Sequence, residues 1–541
     1  MNEKTNTIKS KLLPYQTPHV DAIMYSVSKY NRVLDGSDTG TGKTYTSIAS
    51  SMLLGLKPLI ICPKSVISSW MKVLDTFECE YYGVANYESI QNCKMFTRES
   101  KYNKVPCPYI KRSVVVDKEK ELMPDNSKKI KIPKKQKLKL KAAPVMEKPK
   151  KEEVEYTYNW QNLPKDIIII FDEAHRCKNP RTLNSVLLYT LAKHAVKIIM
   201  LSATVSDKPE NFALCGYVLG LYKNMRDANK WIETVGKNYD NVMTGVNNAI
   251  FPEYAARMRI TNLGKLFPDN QIVASCYDME ESEEIEKQYK LIEAEVEKLK
   301  NKEENSGCVL AAILYARMKI ETLKIPTYIE QAKKYLEEHN AVAIFVNFTQ
   351  TLKTIADELG TSCVIHGQQT LEERAKAIDD FNSDRSHIIV ANISSGGVGI
   401  SLQDLHGNFP RVSIISPGYS AQTIVQALGR IHRAGGRTSV RQRLIFCKAT
   451  LEEKICENLK DKIQNICMLN DGDLMSIHIE GLTDDQDSIG IKDDNLSEFD
   501  RLFMKINVLN IRKQRLQEDI KDIDDEVKML EEIMHSMIIT Y

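Results

Sequence analysis

The 541-residue sequence lacks several features that would place it in a common class of protein. No apolar run approaches the ~20 residues that a membrane-spanning helix requires, so we expect no membrane partner. The N-terminal stretch "MNEKTNTIKSKLLPYQ" contains no long apolar region, which argues against a secretory signal peptide. No two of the twelve cysteines lie within four positions of each other. This spacing argues against zinc ribbons and a disulfide framework, and it predicts a soluble protein of a reducing compartment.

The sequence also lacks a large net charge, since the formal value is +2 at pH 7. Any affinity for nucleic acid must therefore come from local patches of charge. One such patch is residues 128–151, which contain eleven lysines and a single acid, Glu147. A segment of this composition cannot bury a core and is predicted to be a solvated insertion. Two interpretations stay open: it adds sequence-independent affinity for nucleic acid, or it is a solubilising loop or a nuclear-import signal.

A glycine-rich stretch, "SDTGTGKT", precedes a helical pattern. The usual phosphate-binding pattern is Gly, four residues, then Gly-Lys-Ser/Thr, and here Ser37 stands at the first glycine position. Gly40 and Gly42 would let backbone N–H groups close around phosphates at the helix N-terminus. Lys43 is then expected to reach the β- and γ-phosphates of ATP, and Thr44 to hold Mg²⁺. The competing interpretation is a glycine-rich helix cap with a solvated lysine.

A second motif, "DIIIIFDEAH", ends an uninterrupted apolar run in two carboxylates. The run predicts a buried parallel strand, and open α/β sheets bind ligands at the carboxyl ends of such strands. Asp172 is expected to hold Mg²⁺, and Glu173 to orient and deprotonate the attacking water. A strand followed by an acidic helix cap is the alternative, which the phosphate-binding pattern about 130 residues upstream makes less favoured.

These two motifs together resemble those of superfamily-two helicase-type ATPases with a DEAH box. "LLPYQ" resembles the element in which a glutamine, here Gln16, reads the adenine edge. Six further segments resemble the remaining family motifs and follow in order: "LIICPKSVISSW" (59–70), "LSAT" (201–204), "AIFVNFTQTL" (343–352), "IHGQQTLEER" (365–374), "IIVANISSGGVGISL" (388–402) and "QALGRIHRAG" (426–435). The resemblance covers about residues 10–470.

The resemblance implies an α/β fold of two RecA-like parallel-sheet lobes in tandem, with ATP in the cleft between them. The first lobe is expected at 1–205, with the lysine-rich insertion at about 115–152. Residues 206–325 are expected to be helical decoration and an inter-lobe region. The second lobe is expected at 326–475, followed by an acidic linker and a C-terminal helix at 476–541.

The resemblance also implies roles for individual residues. The ATP-binding residues would be Gln16, Ser37, Asp38, Thr39, Gly40, Thr41, Gly42, Lys43 and Thr44. The catalytic residues would be Lys43, Glu173, Gln426, Arg430 and Arg433, the two arginines acting as fingers from the second lobe. The residues that couple hydrolysis to movement would be His175, Ser202, Thr204 and Gly397. The residues that contact nucleic acid would be Lys64, Ser65, Trp70, Asn347, Thr349 and Ser394.

Within this superfamily, the segments 172–179 and 450–462 are similar to Swi/Snf-type translocases, which run along duplex DNA. Three residues depart from that pattern, namely Val205, Ser401 and Gly436. The compact arrangement of the motifs in this sequence looks most like that of helicase-like proteins of large DNA viruses. We therefore expect an ATPase, with ATP and Mg²⁺, that moves along duplex DNA. A strand-separating DNA or RNA helicase is the alternative, and the expected location is the cytoplasm, the nucleus, or a virion or viral factory.

The C-terminal region carries an apolar seam that steps by four and three residues. Its members are Leu516, Ile520, Ile523, Val527, Leu530, Met534 and Met537. This spacing predicts about three heptad repeats of a coiled-coil-like helix. The helix would either fold back on the motor or bind a protein partner.

Overall fold

The computed structural model describes residues 3–114, 156–180, 182–263, 267–301, 306–393, 400–418 and 420–471. The predictions for the lysine-rich insertion and for the C-terminal helix lie outside the described residues, as do Ser394 and Gly397. Within the described part, no helix combines the length and the apolar character needed to cross a membrane. The cysteines whose side chains the structure describes are free thiols.

The strands of the described residues are mostly short and buried. They are β1 (Arg32–Asp35), β2 (Lys57–Cys62), β3 (Gly83–Asn86), β4 (Lys94–Met95), β5 (Val105–Pro106), β6 (Ile110–Val114), β7 (Tyr156–Trp160), β8 (Ile167–Asp172), β9 (Lys197–Leu201), β10 (Ala255–Ala256), β11 (Asn270–Tyr277), β12 (Ala341–Val346), β13 (Val364–Ile365), β14 (Ile388–Asn392), β15 (Arg411–Ile415) and β16 (Val440–Cys447).

The α-helices of the same residues alternate with these strands. They are α1 (Glu3–Lys9), α2 (Gln16–Tyr30), α3 (Lys43–Leu53), α4 (Ile67–Phe77), α5 (Tyr87–Gln91), α6 (Leu183–Ala192), α7 (Ala213–Leu219), α8 (Ala228–Gly236), α9 (Val242–Ile250), α10 (Ser282–Asn301), α11 (Ser306–Leu323), α12 (Ile325–Glu337), α13 (Thr349–Glu358), α14 (Leu371–Asn382), α15 (Ala421–Leu428) and α16 (Glu452–Asp471).

Two six-stranded parallel sheets organise these elements. The first has the order β10-β1-β9-β8-β2-β3, and the second has the order β11-β16-β15-β12-β14-β13. Strands β8 and β12 are apolar and buried along almost their whole length. Such runs form because helices cover both faces of a parallel sheet, so neither face of the strand meets water. This arrangement is the predicted pair of parallel-sheet lobes.

The region between the two sheets is not only helical. Strand β10 belongs to the first sheet and β11 to the second, and both lie within residues 206–325. The two sheets therefore divide between Ala256 and Asn270. The predicted domain boundaries stay a prediction, but this region contributes a strand to each lobe.

Helix α16 connects the second lobe back to the first. At its start, Glu452 forms a buried ion pair with Lys324, at 2.8 Å. Midway along the helix, Ile463 packs in the core of the second lobe, whereas Leu469 near its end packs in the core of the first lobe. The side chain of Asn247 on α9 donates a hydrogen bond to the carbonyl of Leu469 at 2.9 Å. The last turn of α16 is thus docked on the first lobe.

The lysine-rich insertion is bounded by an antiparallel β-hairpin. Strands β6 and β7 pair from Ile110 opposite Trp160 to Val114 opposite Tyr156. Trp160 is buried in the core of the first lobe, and its indole N–H donates to the carbonyl of Leu187 at 3.2 Å. The chain therefore leaves and re-enters the described structure at two adjacent positions, which a short turn could join.

Candidate active site

The glycine-rich loop lies between β1 and α3, at the carboxyl edge of the first sheet. Gly40 and Gly42 have φ values of +86° and +92°, which residues with a side chain rarely adopt. A Cβ at Gly42 would overlap the side-chain amide of Gln16. The backbone conformation favours glycine at both positions, and the close approach of Gln16 adds a second reason at Gly42. The loop leads into the N-terminus of α3, where backbone N–H groups can bind an anion.

Ser37, at the position where glycine is usual, has a defined structural role. Its side chain is fully buried, and its hydroxyl accepts a hydrogen bond from the backbone N–H of Met258 at 2.8 Å. The same hydroxyl lies 3.2 Å from Nε2 of His19. His19 in turn lies 3.1 Å from the carboxylate of Asp35. Ser37 therefore ties the loop to α2 and to the segment after β10, which a glycine could not do.

The loop is held by hydrogen bonds to Asp38, which lies in the loop, and from Gln16 on α2. Arg257 donates to the Asp38 carboxylate at 2.8 Å, and the backbone N–H of Ile260 donates to it at 2.8 Å. Gln16 is buried, and its side-chain amide donates to the carbonyl of Thr41 at 2.9 Å. The adenine-reading role of Gln16 stays a prediction, but its position beside the loop agrees with that role.

Lys43 points back into the loop. Its ammonium donates to the carbonyl oxygens of Ser37 and Asp38, at 2.6 and 3.0 Å. Burial lowers the pKa of Lys43, and the negative charges of Asp35 and Glu173 oppose that shift. Lys43 is half-buried and bonded to the loop, which argues against the alternative of a solvated lysine, and its role in holding phosphates stays a prediction.

Asp172 and Glu173 end β8, as the apolar run predicts. Asp172 accepts hydrogen bonds from the indole N–H of Trp70, at 2.8 Å, and from the backbone N–H of Glu173, at 3.0 Å. Burial, and then the neighbouring charge of Glu173, raise the pKa of Asp172. Burial would also raise the pKa of Glu173, but the hydrogen bond and charge of His175, with Lys43, hold it below its usual range. Glu173 has a φ of +54°, a strained conformation that recurs at functional sites.

Asp172 and Thr44 carry oxygen atoms of the kind that a magnesium ion binds. Mg²⁺ prefers oxygen ligands and is usually held by one or two carboxylates together with substrate phosphates. The Asp172 carboxylate and the Thr44 hydroxyl are of this type, and a cation would stabilise the charged form of Asp172. No group of three or more His, Cys, Asp or Glu side chains in the described ranges is arranged to hold a metal. The residues fit an ion held largely by phosphate oxygens.

His175 connects Glu173 to other motifs. Its Nδ1 lies 3.1 Å from the hydroxyl of Ser202 and 3.2 Å from Oε2 of Glu173. The hydroxyl of Thr204 lies 3.5 Å from the same nitrogen. Its Nε2 lies 3.3 Å from the side-chain amide of Gln426, which comes from the second lobe. The structure thus brings four of the predicted residues together around one imidazole.

The two predicted arginine fingers lie at the cleft. Arg430 donates to the carbonyl of Gln426 at 2.8 Å, and Arg433 donates to the hydroxyl of Ser401 at 2.8 Å. Burial lowers the pKa of Arg430 to about 10 and that of Arg433 to about 9. The charge of Arg430 also contributes to lowering the pKa of Glu173, after the larger effects of His175 and Lys43.

The second lobe packs directly on the glycine-rich loop. A Cβ at Gly429 would overlap the side chain of Thr39, and one at Gly40 would lie 2.9 Å from Cγ of Arg433. Real Cβ atoms essentially never come that close to another heavy atom. The predicted ATP-binding loop and the predicted finger motif therefore face each other without a gap at these points.

The residues predicted to contact nucleic acid differ in their exposure to solvent. Trp70 is only 1% exposed and hydrogen bonds to Asp172, so its prediction as a nucleic-acid contact is wrong. Lys64 is exposed at the turn after β2, and Ser65 beside it is half-buried. Asn347 and Thr349 form hydrogen bonds within the second lobe.

Asn347 and Thr349 lie just after β12. The Asn347 side chain donates to the carboxylate of Glu321 at 2.8 Å. The Thr349 hydroxyl accepts from the side chain of Asn392 at 2.9 Å. These bonds fix the loop that follows β12, and the nucleic-acid role of both residues stays a prediction.

Sequence reasoning missed His19 and Arg257. His19 lies three residues after Gln16 on α2, so helical spacing could have identified it beside the loop. Arg257 follows β10, more than two hundred residues after the loop, and no sequence signal links it to Asp38. Non-local partners of this kind become visible only when the sheet is assembled.

A glycine-rich loop at a helix N-terminus, a carboxylate pair and arginines from a second parallel-sheet lobe are the arrangement expected of a two-lobed ATPase of the helicase type. Comparison with known proteins agrees with this class. Residues 9–207 match the family described as "Type III restriction enzyme, res subunit", and residues 327–435 match "Helicase conserved C-terminal domain". A protein of Acanthamoeba polyphaga mimivirus, provisionally named an ATP-dependent RNA helicase, is 34% identical over 493 residues, which are 87% of this chain and 85% of that protein.

The chain belongs to the superfamily-two helicases and is an ATP-dependent enzyme of that family. The predicted family, fold class and enzyme type are confirmed. Swi/Snf-type relatives also match. The Caenorhabditis elegans homologue of SWI/SNF-related matrix-associated actin-dependent regulator of chromatin subfamily A-like protein 1 is 23% identical, over 84% of this chain and 61% of that protein. The Saccharomyces cerevisiae ISWI chromatin-remodeling complex ATPase ISW1 is 22% identical, over 57% of this chain and 29% of that protein. The chain thus spans less than two thirds of these two relatives.

Proposed function

We propose that this enzyme hydrolyses ATP in the cleft between its lobes and uses the cycle to move along duplex DNA. The observation that carries the ATPase part is the contact of Gln426 with Glu173 and His175, at 3.3 Å each, across the two lobes. This contact assembles the water-activating carboxylate, the coupling histidine and the finger motif in one place. Duplex DNA is favoured by the likeness of segments 172–179 and 450–462 to Swi/Snf-type translocases.

Each proposed catalytic residue has a physical task. The backbone of the glycine-rich loop and Lys43 would hold the ATP phosphates, and Glu173 would orient and deprotonate the attacking water. Mg²⁺, when bound by Thr44 and Asp172, would supply positive charge beside the β- and γ-phosphates. Phosphoryl transfer spreads negative charge, which Arg430 and its neighbour Arg433 would stabilise from the second lobe.

Lobe closure would link hydrolysis to movement. Because the arginines come from the second lobe, turnover requires the lobes to meet. ATP contacts both lobes and would favour the closed state, whereas ADP would favour the open one. Nucleic acid that lies across both lobes would then be displaced once in each cycle. On the first lobe, Lys64 and Ser65 are the proposed contacts to its phosphates.

We expect ATP hydrolysis to be stimulated most by duplex DNA. The measurement compares steady-state ATPase rates with duplex DNA, single-stranded DNA and RNA of matched length and composition. Glu173→Gln in each assay removes any contribution from a contaminating ATPase. Stimulation by RNA or single-stranded DNA alone would contradict the duplex-DNA proposal while leaving the ATPase assignment intact.

A strand-separating RNA helicase is the second candidate. The provisional name of the mimivirus relative favours it, since that protein matches most of this chain. The same assay distinguishes the two, and a duplex RNA carrying a fluorescent strand adds a direct measure of strand separation. ATP-dependent release of that strand, without stimulation by duplex DNA, would establish the second candidate.

A deletion tests whether the lysine-rich insertion contacts nucleic acid. Because Val114 lies opposite Tyr156, residues 115–155 can be replaced by a short Asn-Gly turn that closes the hairpin. We expect the slope of log affinity against log salt to flatten, by ~0.9 for each of roughly two to four lost phosphate contacts. ATP hydrolysis at saturating nucleic acid should hardly change, because no motor motif lies in the segment.

The matched control for the deletion keeps the length of the insertion and replaces its lysines with glutamine. The same flattening in this variant would assign the effect to charge. Identical slopes for the intact and the deleted protein, measured by a salt titration of binding, would mean that the segment does not contact nucleic acid.

A further inference from the structure

One face of α15 meets the first lobe at two positions. Gln422 and Gln426 are spaced by four residues, so their side chains lie on the same face of the helix, and both bond to the first lobe. Gln426 belongs to the proposed catalytic machinery. Gln422 lies one helical turn before it, and no motif assigns it a role.

Both ends of the Gln422 side chain bind the first lobe. The residue is only 5% exposed. Its amide nitrogen donates to the carbonyl of Thr204 at 2.8 Å, and its amide oxygen accepts from the ammonium of Lys178 at 2.5 Å. An ammonium can only donate and a carbonyl can only accept, so this orientation of the amide is the one that satisfies both partners.

Lys178 is itself held by a second partner. Its ammonium also pairs with the carboxylate of Asp207, at 2.9 Å. Lys178 follows the 3₁₀ turn Ala174–Cys177, which carries His175, and Asp207 lies three residues after Thr204. The pair therefore joins the loop after β8 to the loop after β9, and Gln422 binds both loops at once.

We propose that Lys178, Asp207 and Gln422 form a closure latch, a set of positioning residues that holds α15 where Gln426 meets Glu173. The inference rests on the proposed ATPase function. The latch lies against the loops after β8 and β9, whereas the ATP phosphates are assigned to the loop after β1. It makes no contact with the nucleotide site, so its loss should lower the turnover that needs closed lobes more than it weakens the binding of ATP.

Two truncations, one in each lobe, test the latch. We expect Gln422→Ala and Lys178→Met each to lower kcat about tenfold or more, because each removes a hydrogen bond to a charged partner. The KM for ATP should rise much less than kcat falls, since the direct nucleotide contacts are intact. The double variant should be little worse than either single one, because both changes break the same contact.

Two further variants separate the latch from a general loss of structure. Lys178→Arg keeps the positive charge and should recover most of kcat, whereas Lys208→Met removes an exposed lysine of the same region and should leave kcat unchanged. Thermal unfolding of each variant checks the fold. If one truncation fails to fold, the other, in the opposite lobe, decides the outcome.

Several results would overturn the latch. They are a wild-type kcat in Gln422→Ala or Lys178→Met, additive losses in the double variant, or a loss that appears mainly in the KM for ATP. A failure of the proposed ATPase function would give a different result. The wild-type protein would then hydrolyse no ATP, or Glu173→Gln would hydrolyse it equally fast.

Discussion

Glu173→Gln should abolish ATP turnover while leaving ATP binding nearly intact. The carboxylate is the proposed base, and the neutral amide cannot take a proton from water. His175 and Lys43 hold the pKa of Glu173 below its usual range, so the carboxylate is ionised and can accept a hydrogen bond from the attacking water. Lys43 and the glycine-rich loop, which would hold the nucleotide, lie on a different element and are unchanged. The measurement pairs steady-state hydrolysis with the binding of a fluorescent ATP analogue.

The matched control for this substitution is Glu210→Gln, an exposed glutamate in the same lobe. It should hydrolyse ATP at the wild-type rate. Full turnover by a purified Glu173→Gln protein would remove Glu173 from the mechanism. Loss of nucleotide binding together with turnover would instead indicate a structural role.

Removal of either finger should reduce kcat by roughly 10³–10⁵, the usual range for arginine fingers. We expect Arg430→Ala and Arg433→Ala to spare ATP affinity, because their positive charge would act on the charge that develops in the transition state. Arg433→Lys keeps a positive charge but loses the planar guanidinium that bonds to Ser401, so we expect only partial recovery. Single-turnover rates and equilibrium binding of the ATP analogue separate the two effects.

Arg385→Ala is the control for the arginine variants. Arg385 lies in the same lobe, is exposed, and pairs with Asp379 and Asp380 at the surface. This variant should retain wild-type kcat and ATP affinity. A loss in Arg430→Ala or Arg433→Ala that appears mainly as weaker ATP binding would contradict the finger role.

Elements that carry strong local signals could be predicted from the sequence. The apolar run of β8 has no polar interruption because both faces of the strand are covered, and it places Asp172 at the ligand-binding edge. The loop could be predicted from its glycines, because residues with a side chain rarely adopt the positive φ found at Gly40 and Gly42. In both cases the physical requirement lies within a few consecutive residues.

Contacts that depend on the order of the strands could not be predicted. Trp70 follows β2, and because β2 pairs with β8 in the sheet, its indole reaches Asp172 and is buried. The motif alone suggested a nucleic-acid contact instead. Ser37 is similar, since its partners His19 and Met258 come from α2 and from the segment after β10. The pairing of Lys178 with Gln422 joins positions 244 residues apart, and nothing in either local sequence indicates it.

The docking of α16 on the first lobe constrains how the two lobes can move relative to each other. A helix of twenty residues is a rod of about 30 Å, and this one is embedded in the second lobe with its last turn seated on α9 of the first. The lobes cannot part at Leu469 without exposing that buried side chain to water. Opening of the cleft would therefore be a rotation about this end of α16, and points of the second lobe farther from Leu469 would move farther for the same angle.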